Sequence, residues 1–555
     1  MSMPSVLRVH DLCVEFRTRR GVRRAVDGVS FELSAGGTLG LVGESGSGKT
    51  LTAMALLGLL PAAPHCVVLG QIEIDGRRLP VDALRGDTTH RGRRIAMIFQ
   101  EPMTALNPVR TIRSQMIEVL CRFGDVTPDR AAERALDLLD TVGIGKPRQC
   151  LQHYPHQLSG GMRQRVMIAM ALSCEPDVLV ADEPTTALDV TTQAQVLDLI
   201  AGLQKQRGMA VVMISHNLSV VAQICRDVLI MQAGRVVERA QTRALFSNPQ
   251  HAYTRRLLAA IPRLDRPARA VGPTSLAAGS VSPALEVSDL VVRYPRRRQI
   301  FERSVPDNTA VGGVSLRIGQ GRALGLVGPS GCGKSSLGRA LLRLHEPSAG
   351  QVRVAGQDIT AMAPAQLRRA RASMQMIFQD PYASLSPRRT VGQTLAEPLN
   401  AFGLGSPAER KARILDLLDT VGLGPDVLPR YPHEFSGGQR QRIAITRALV
   451  LEPPLIVADE AVSALDVSIQ ADVLELLITL QARYGMAMLF ISHDLAVIRQ
   501  ICHDVAVMEA GLIVEHGTVD DVFGRPQHSL TRALLAAVPR PPGSDSRAST
   551  GHHHG

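Results

Sequence analysis

Short apolar runs along the chain alternate with segments of helical periodicity. Residues 178–181 and 209–214 are uninterrupted apolar runs, which are typical of strands buried on both faces. Residues 163–172 instead place apolar side chains at helical spacing. This alternation predicts an α/β fold built on a mainly parallel sheet. No apolar run approaches the roughly 18 residues that a membrane-spanning helix needs.

The pattern occurs twice. Residues 7–16 match residues 285–294, and residues 154–262 match residues 431–539 without a gap. So long a match indicates two copies of one domain. We predict a first domain, a linker, a second domain and a disordered tail, at residues 1–262, 263–283, 284–540 and 541–555. The linker is rich in Pro, Gly, Ser and Ala without periodicity.

Within each copy one segment reads as mostly helical, residues 103–158 in the first and 382–435 in the second. These segments predict a helical subdomain inserted into each α/β core. After each core, residues 249–262 and 526–539 form a short amphipathic C-terminal extension.

Composition narrows the class of protein. The chain has 555 residues, of which 45% are hydrophobic and 20% charged, as in a globular protein with sizeable cores. The net charge of +11 could suggest nucleic acid, but the arginines are dispersed, which favours a solvated face or a contact with a subunit or membrane surface. The eight cysteines form no zinc or iron–sulfur pattern. No signal-peptide pattern opens the chain, so we expect a cytosolic protein with reduced thiols.

Two glycine-rich loops, residues 43–50 and 328–335, each follow an apolar run and precede a helical pattern; we call them the first and second phosphate loops. Their spacing G-x-x-x-x-G-K-[ST] lets backbone N–H groups surround a phosphate, while the lysine reaches its β- and γ-oxygens and the final hydroxyl binds Mg²⁺. Only five lysines occur in the chain, and two lie in these loops. The candidate ATP-binding residues here are Gly43, Ser45, Gly46, Gly48, Lys49, Thr50, Gly328, Ser330, Gly331, Gly333, Lys334 and Ser335. The first loop predicts a helix over residues 51–60.

Two adjacent carboxylates end a strand in each copy: Asp182 with Glu183, and Asp459 with Glu460. Buried carboxylates need a partner, and a magnesium nucleotide supplies one. The aspartates are candidates to hold the metal through water, and the glutamates to activate the attacking water. The alternative is a purely structural helix cap or ion pair at the strand end.

A serine and two glycines precede a helical run in each copy; we call these segments the signature loops. Such an N-terminus offers an anion site made of backbone N–H groups and the helix dipole. The residues are Ser159, Gly160, Gly161, Ser436, Gly437 and Gly438.

Taken with the strand-end carboxylates, an aspartate six residues after each glutamate, and the sequence I-S-H, the chain resembles the nucleotide-binding domain of ABC transporters twice over. The resemblance implies an ATPase whose halves pack head to tail, so that ATP lies between one half's phosphate loop and the other's signature loop. It assigns roles to further residues. Gln100 and Gln379 bind Mg²⁺ with Thr50 and Ser335, and they lie in the loop that senses the membrane partner. Asp189 and Asp466 lie in the interface loop, His216 and His493 contact the γ-phosphate, and Phe16 and Tyr294 stack on adenine. For the histidines and aromatic residues, the alternative is simple packing in a core.

Residues 98–108, 377–387 and both C-terminal extensions resemble the ATPase subunits of dipeptide, oligopeptide and nickel importers. This resemblance implies a fused ATPase at the cytoplasmic face of a bacterial inner membrane, bound peripherally to two integral-membrane permease subunits and supplied by an extracytoplasmic solute-binding protein. The solute itself is not readable from this chain. The alternative is a soluble tandem ABC ATPase acting on ribosomes, which the short, non-helical linker disfavours. We expect no nucleic-acid partner.

Some positions depart from the family pattern. Met162 replaces the usual glutamine after the first signature loop, and Ala461 replaces the usual proline after Glu460. Neither change removes a catalytic atom, so two competent sites are expected. Cys332 stands in the second phosphate loop beside Lys334, which predicts a reactive thiolate; the alternative is a buried, inert cysteine.

Overall fold

The computed structural model describes residues 5–18, 21–74, 76–86, 89–124, 126–186, 188–265, 283–294, 308–380, 384–463 and 465–539. Most of the predicted linker and the whole of the predicted tail lie outside these ranges, so the linker and tail stay predictions.

Each half contains two sheets, with the same strand order in both halves. The first half has a six-stranded sheet in the order β10-β9-β3-β8-β7-β6 and a four-stranded sheet in the order β2-β1-β4-β5. Its strands are β1 Ser5–Thr18, β2 Gly21–Ser34, β3 Thr38–Val42, β4 Cys66–Ile74, β5 Arg77–Pro80, β6 Ile95–Ile98, β7 Val178–Asp182, β8 Ala210–Ser215, β9 Asp227–Gln232 and β10 Arg235–Gln241.

The second half repeats this arrangement as β16-β17-β18-β13-β19-β20 and β12-β11-β14-β15. Its strands are β11 Leu285–Tyr294, β12 Asn308–Ile318, β13 Ala323–Val327, β14 Ala349–Val354, β15 Gln357–Asp358, β16 Met374–Ile377, β17 Leu455–Asp459, β18 Ala487–Ile491, β19 Asp504–Glu509 and β20 Leu512–Thr518.

The α-helices of the described residues follow the same repeat. In the first half they are α1 Lys49–Leu56, α2 Pro102–Ala105, α3 Ile112–Phe123, α4 Pro128–Thr141, α5 Pro147–Gln152, α6 Gly160–Ala171, α7 Val190–Arg207, α8 Leu218–Ile224, α9 Thr242–Ser247 and α10 Ala252–Ala260. In the second half they are α11 Lys334–Leu341, α12 Pro364–Ala370, α13 Val391–Ala401, α14 Pro407–Thr420, α15 Gly437–Leu449, α16 Val467–Tyr484, α17 Leu495–Ile501, α18 Val519–Gly524 and α19 Ser529–Ala537. Within the described ranges, none is long and apolar enough to cross a membrane.

The six-stranded sheets confirm the predicted α/β class. All pairs are parallel except the final hairpins β9–β10 and β19–β20. Every residue of β7 and β8 is buried, as their uninterrupted apolar sequence requires. The antiparallel four-stranded sheets were not predicted. Their strands alternate buried and exposed positions instead of forming apolar runs.

The helix after the first phosphate loop spans Lys49–Leu56, whereas the sequence pattern predicted residues 51–60. It ends early because Gly58 adopts a left-handed φ of +60°, and a Cβ there would lie 2.4 Å from the carbonyl oxygen of Leu84. The close approach of this backbone fixes the helix end, although the apolar pattern continues.

The predicted helical subdomain is present in both halves, as helices α2 to α5 in the first and α13 and α14 in the second. Residues 381–383, at the start of the second predicted segment, lie outside the described residues.

The two halves pack against each other through their C-terminal extensions and long helices. Helix α10 of the first extension contacts α16 of the second half, and α19 of the second extension contacts α7 of the first half. The first residues of these long helices are buried in the opposite half's core: Val190 joins the second core and Val467 the first. The same kind of contact therefore occurs twice between the two halves.

Candidate active site

The first phosphate loop connects β3 to α1, and its own lysine holds it together through hydrogen bonds to the loop backbone. The Lys49 ammonium donates hydrogen bonds to the carbonyl oxygens of Gly43, at 2.6 Å, and Glu44, at 2.9 Å. Burial lowers the pKa of Lys49. Gly46 has a φ of +79°, and a Cβ added there would meet no atom within 4 Å. The loop is thus a backbone cradle with one open side, which suits a phosphate.

The second phosphate loop repeats this geometry. The Lys334 ammonium donates to the carbonyl oxygens of Gly328, at 2.7 Å, and Pro329, at 2.9 Å. Gly331 again has a positive φ, +80°, and open space beside it.

The prediction of a reactive thiolate in this loop was wrong. Cys332 is 7% exposed, and burial raises the pKa of its thiol, although the Lys334 ammonium lies 3.9 Å from Sγ. Desolvation disfavours the charged sulfur more than the lysine favours it. The alternative reading of the sequence, a buried cysteine, describes this residue.

A hydroxyl and a carboxylate meet beside each phosphate loop. Thr50 donates to Asp182 at 3.3 Å, and Ser335 donates to Asp459 at 3.0 Å. Burial raises the pKa of Asp182 to about 6 and also raises that of Asp459. A buried carboxylate with a raised pKa is stabilised by a cation, and hydroxyl and carboxylate oxygens are ligands that Mg²⁺ prefers. The residues present fit a magnesium nucleotide.

Glu183 lies in a hydrogen-bonded cluster at the end of β7. His216 Nδ1 lies 3.0 Å from its Oε1, and Gln100 and Thr186 donate to its Oε2 at 3.0 and 2.9 Å. Burial acts to raise the pKa of Glu183, but the hydrogen bond and charge of His216 outweigh it and hold that pKa below its ordinary value. The carboxylate is therefore ionised and oriented, as a group that activates water must be.

The matched glutamate of the second half has similar partners. Gln379 donates to Glu460 at 2.8 Å, and His493 Nδ1 lies 3.5 Å from its Oε1. The pKa of Glu460 is also lowered, with burial again opposed by the histidine.

Both glutamates have strained backbones that the sequence did not signal. Their φ angles are +46° at Glu183 and +47° at Glu460, in the left-handed region that non-glycine residues rarely adopt. Each amide is held by the next strand, donating to Ile214 at 2.9 Å and to Ile491 at 3.0 Å. Such strain is common at functional sites, where the surrounding structure imposes it.

The two residues predicted to stack on adenine differ in their contacts. The Tyr294 hydroxyl donates to Ser336 at 3.2 Å, which places this ring beside the second phosphate loop. Phe16 is half-buried and packs against the core below the first antiparallel sheet. The adenine assignment stays a prediction for both.

The signature serines cap the helices that follow them. Ser159 accepts the N–H of Met162 at 3.3 Å, and Ser436 accepts the N–H of Gln439 at 3.4 Å. Gln439 also accepts the Ser436 N–H at 3.1 Å, a reciprocal bond that the thioether of Met162 cannot make. Both serines are exposed at the start of their helices.

An aspartate of each half reaches the phosphate loop of the other. Asp466 accepts the N–H of Ser45 at 3.0 Å and its hydroxyl at 2.9 Å. Asp189 accepts the N–H of Ser330 at 3.3 Å. Hydrogen bonds from Thr191 and neighbouring groups outweigh the effect of burial and lower the pKa of Asp189 to about 2.

The signature loop of each half packs on the helix that follows this aspartate. In the second half, a Cβ on Gly438 would lie 2.4 Å from the side chain of Ile469, so only glycine fits there. Ile469 follows Asp466 by three residues on the same interface segment. The second signature loop and the first phosphate loop therefore both contact residues 466–469, which supports the head-to-tail arrangement.

Comparison with known protein families identifies two families that match this chain. The family described as "ABC transporter" matches residues 26–186 and 311–463, and "Oligopeptide/dipeptide transporter, C-terminal region" matches residues 237–284 and 514–553. The chain belongs to the ABC transporter ATP-binding family. As a member of this family, it is a tandem ATPase of the import type, and the prediction of its fold and activity is confirmed.

Curated relatives match nearly the full chain. Glutathione import ATP-binding protein GsiA of Escherichia coli (strain K12) is 48% identical, over 96% of this chain and 90% of that protein. GsiA of Pectobacterium atrosepticum is 48% identical, over 96% of this chain and 89% of that protein. Among solved structures, the ATP-binding cassette MJ0796, described as dimeric and bound to ADP and Pi, is 26% identical over 42% of this chain and 98% of that chain, with a TM-score of 0.38. The ribosomal alternative finds no support among these matches.

Two contacts of this ABC ATPase escaped the sequence analysis. Thr186 holds Glu183, and Tyr253 of the C-terminal extension accepts the N–H of Glu44 in the first phosphate loop at 3.1 Å. The first left no signal in the sequence. A signal for the second was available, because Leu530 occupies the matched position in the second half.

We expect the double variant Glu183→Gln/Glu460→Gln to bind ATP and to lose hydrolysis by at least about 100-fold, because the amide cannot activate water. ATP turnover and nucleotide binding are measured on the same preparation. The single variants serve as controls and report each site separately. Near-normal turnover of the double variant would mean that the activating group lies elsewhere.

A second prediction concerns pH and uses the Glu460→Gln background, in which turnover comes from Glu183. Removing the imidazole with His216→Ala takes away the largest influence that opposes burial, so the pKa of Glu183 rises and the acid limb of the rate profile moves to higher pH. His493→Ala in the same background is the control and should leave that limb in place. An acid limb unmoved by His216→Ala contradicts the pairing.

Proposed function

We propose that the chain powers the import of peptides or peptide-like solutes, with glutathione and short peptides as the first candidates. The observation that carries this proposal is the repeated C-terminal region of oligopeptide/dipeptide transporters, one copy after each ABC core. The 48% identity to glutathione import ATP-binding proteins supports the same class of solute. The domain boundaries deduced from the repeat belong to this proposal.

In this proposal each ATP site is shared between the halves. The first site combines Lys49 and Glu183 with the signature Ser436 of the second half; the second combines Lys334 and Glu460 with Ser159 of the first. The hydrogen bonds that Asp466 and Asp189 accept from the opposite phosphate loops support this pairing. The remaining residues of the two phosphate loops and signature loops bind the nucleotide as the sequence predicted.

Mg²⁺ accompanies ATP in this proposal. Thr50 and Gln100 would hold it in the first site, and Ser335 and Gln379 in the second, with the adjacent strand-end aspartates acting through water. The bound ion would offset the negative charge of the phosphates. The protein's own part is to orient Glu183 through His216 and to exclude solvent from the sites.

Two permease subunits are the proposed membrane partners, with an extracytoplasmic solute-binding protein delivering the cargo. Apolar side chains are exposed beside each glutamine predicted to sense the permease: Phe99 is 39% exposed in the first half and Phe378 is 38% exposed in the second. Phe378 also lines a groove of about 170 Å³ together with Leu344 and Met376. Exposed apolar side chains around a groove are typical of a protein contact, which supports a contact with the permeases. In this proposal the chain is bound peripherally at the cytoplasmic face of the membrane.

The transport cycle follows from the shared sites. ATP binding draws the halves together, and the movement is passed to the permeases through the surfaces around Phe99 and Phe378. Hydrolysis and phosphate release then allow the halves to separate. Each nucleotide contributes contacts to both halves, so its binding free energy favours the closed state.

Deleting this protein should abolish uptake of at least one member of a panel of labelled glutathione, dipeptides and oligopeptides. Restoring the wild-type chain should recover uptake, and restoring the double Glu→Gln variant should not. Unchanged uptake across the panel contradicts the importer assignment.

The permease surface has its own test. Phe99→Asp combined with Phe378→Asp should abolish co-purification with membrane subunits while nucleotide binding persists, because a charge in an apolar contact is costly to bury. Leu69→Asp is the matched control, since Leu69 is a 49% exposed apolar side chain on the antiparallel sheet. Retained co-purification of the double variant would place the permease contact elsewhere.

A further inference from the structure

The first phosphate loop is tied to the C-terminal extension of its own half. The N–H of Glu44 donates to Oη of Tyr253 at 3.1 Å, and the Tyr253 side chain is 4% exposed. On the same helix, the Arg256 guanidinium lies 5.5 Å from the centre of the Tyr253 ring and 3.9 Å from the Glu44 carboxylate. We call these three residues the Glu44 cluster.

The second half also reaches this cluster. The hydroxyl of Ser468, near the start of α16, donates to the Glu44 carboxylate. Asp466, which precedes the same helix, accepts both hydrogen bonds from Ser45. Helix α10, which carries Tyr253, packs against the same helix α16. The peptide at Glu44 is therefore the point where the phosphate loop, its own extension and the opposite half meet.

The three residues of the Glu44 cluster have no chemical counterparts at the second phosphate loop. The three matched residues are Pro329 for the glutamate, Leu530 for the tyrosine and Ala533 for the arginine. Proline has no N–H to donate, leucine has no acceptor, and alanine has no charge. The matched interface hydroxyl, Thr191, turns instead to Asp189 of its own half at 2.6 Å.

Packing alone does not account for this difference. A buried aromatic ring fills space equally well as phenylalanine, but here the phenol oxygen is placed at hydrogen-bond distance from a loop N–H. In the second half the N–H donor and the phenol acceptor are both absent, as expected if the function of the tyrosine is to accept this hydrogen bond. Burial also raises the pKa of Tyr253 to about 12, so its hydroxyl remains neutral in the working range.

We propose that Tyr253 is a positioning residue of the first ATP site: it holds the Glu44 peptide of the phosphate loop and couples Mg-ATP binding at that site, and not at the second, to the C-terminal extension. The two ATP sites then differ in their affinity for Mg-ATP, because only the first phosphate loop is held by a tyrosine of its own extension. The inference rests on the proposed assignment of Glu183 and Glu460 to separate sites.

The test measures ATP hydrolysis by the full-length chain in two backgrounds. Glu460→Gln leaves turnover at the first site, and Glu183→Gln leaves turnover at the second. In the first background, Tyr253→Phe should raise KM for Mg-ATP about five- to tenfold with kcat changed less than about twofold, because a loop N–H loses its acceptor. In the second background, the same substitution should leave KM unchanged. Equal shifts in both backgrounds, or no shift in either, overturn the proposal.

A double-mutant cycle separates the hydrogen bond from packing. Glu44→Pro removes the donor, so Tyr253→Phe added to it should have no further effect on KM. Leu530→Ala, at the matched position of the second extension, is the control and should shift KM in neither background by more than about twofold. A full additional effect of Tyr253→Phe beside Glu44→Pro would refute the bond as the cause.

Hydrogen exchange supplies a readout that does not depend on turnover. In the Tyr253→Phe chain, the amides of residues 43–46 should exchange faster than in the wild type, while residues 328–331 should be unaffected. Unchanged exchange at residues 43–46 would show that the tyrosine does not hold the loop. Loss of all turnover in both single Glu→Gln backgrounds, with faster exchange in Tyr253→Phe, would instead fault the site assignment.

Discussion

The carboxylate that each half places on the other half's phosphate loop is the contact on which the arrangement of both proposed ATP sites depends. Asp466 accepts two hydrogen bonds from Ser45, and Asp189 accepts one from Ser330. Hydrogen bonds to a charged group contribute roughly 1.5–3 kcal/mol each, more than neutral ones. They hold one half against the other, and each signature loop packs on the helix that follows the aspartate of its own half.

The two contacts are not equivalent, and the reason lies in single residues. Asp189 also accepts the N–H of Thr192 and so caps its own helix. The side chain of Asp466 makes no such cap and instead accepts hydrogen bonds from Ser45 of the opposite phosphate loop. Glu44 in the first loop adds a carboxylate that the interface can engage, and Pro329 in the second cannot. The two halves thus share the hydrogen bonds around Glu183 and Glu460, whereas the contacts that anchor their phosphate loops differ.

Much of the fold and site could be deduced from the sequence because the relevant signals are local. Apolar runs locate β7 and β8, glycine spacing locates the phosphate loops, and the strand-end position locates Glu183. The antiparallel sheets were not predicted because bulges interrupt the alternation of buried and exposed residues along their strands, so that the sequence resembles that of a loop. The early end of helix α1 escaped because it depends on how closely Gly58 approaches another segment, and the sequence pattern does not contain that distance.

Effects that depend on tertiary structure were the hardest to predict from the sequence. The expectation of a thiolate at Cys332 weighed the nearby lysine and omitted burial, which is the larger effect in the folded chain. The contact of Tyr253 with Glu44 joins residues far apart in the chain, and periodicity carries no information about such pairs. In both cases the tertiary environment, which the local sequence pattern does not contain, decides the chemistry.

The central claim is that both sides of each ATP site come from one chain. Its most direct test is the specific ATPase activity across about a hundredfold range of protein concentration, with the mass of the active species followed by sedimentation. The account predicts a specific activity independent of concentration and an active species with the mass of one chain. A specific activity that rises with concentration, together with an active species of two chains, would contradict it.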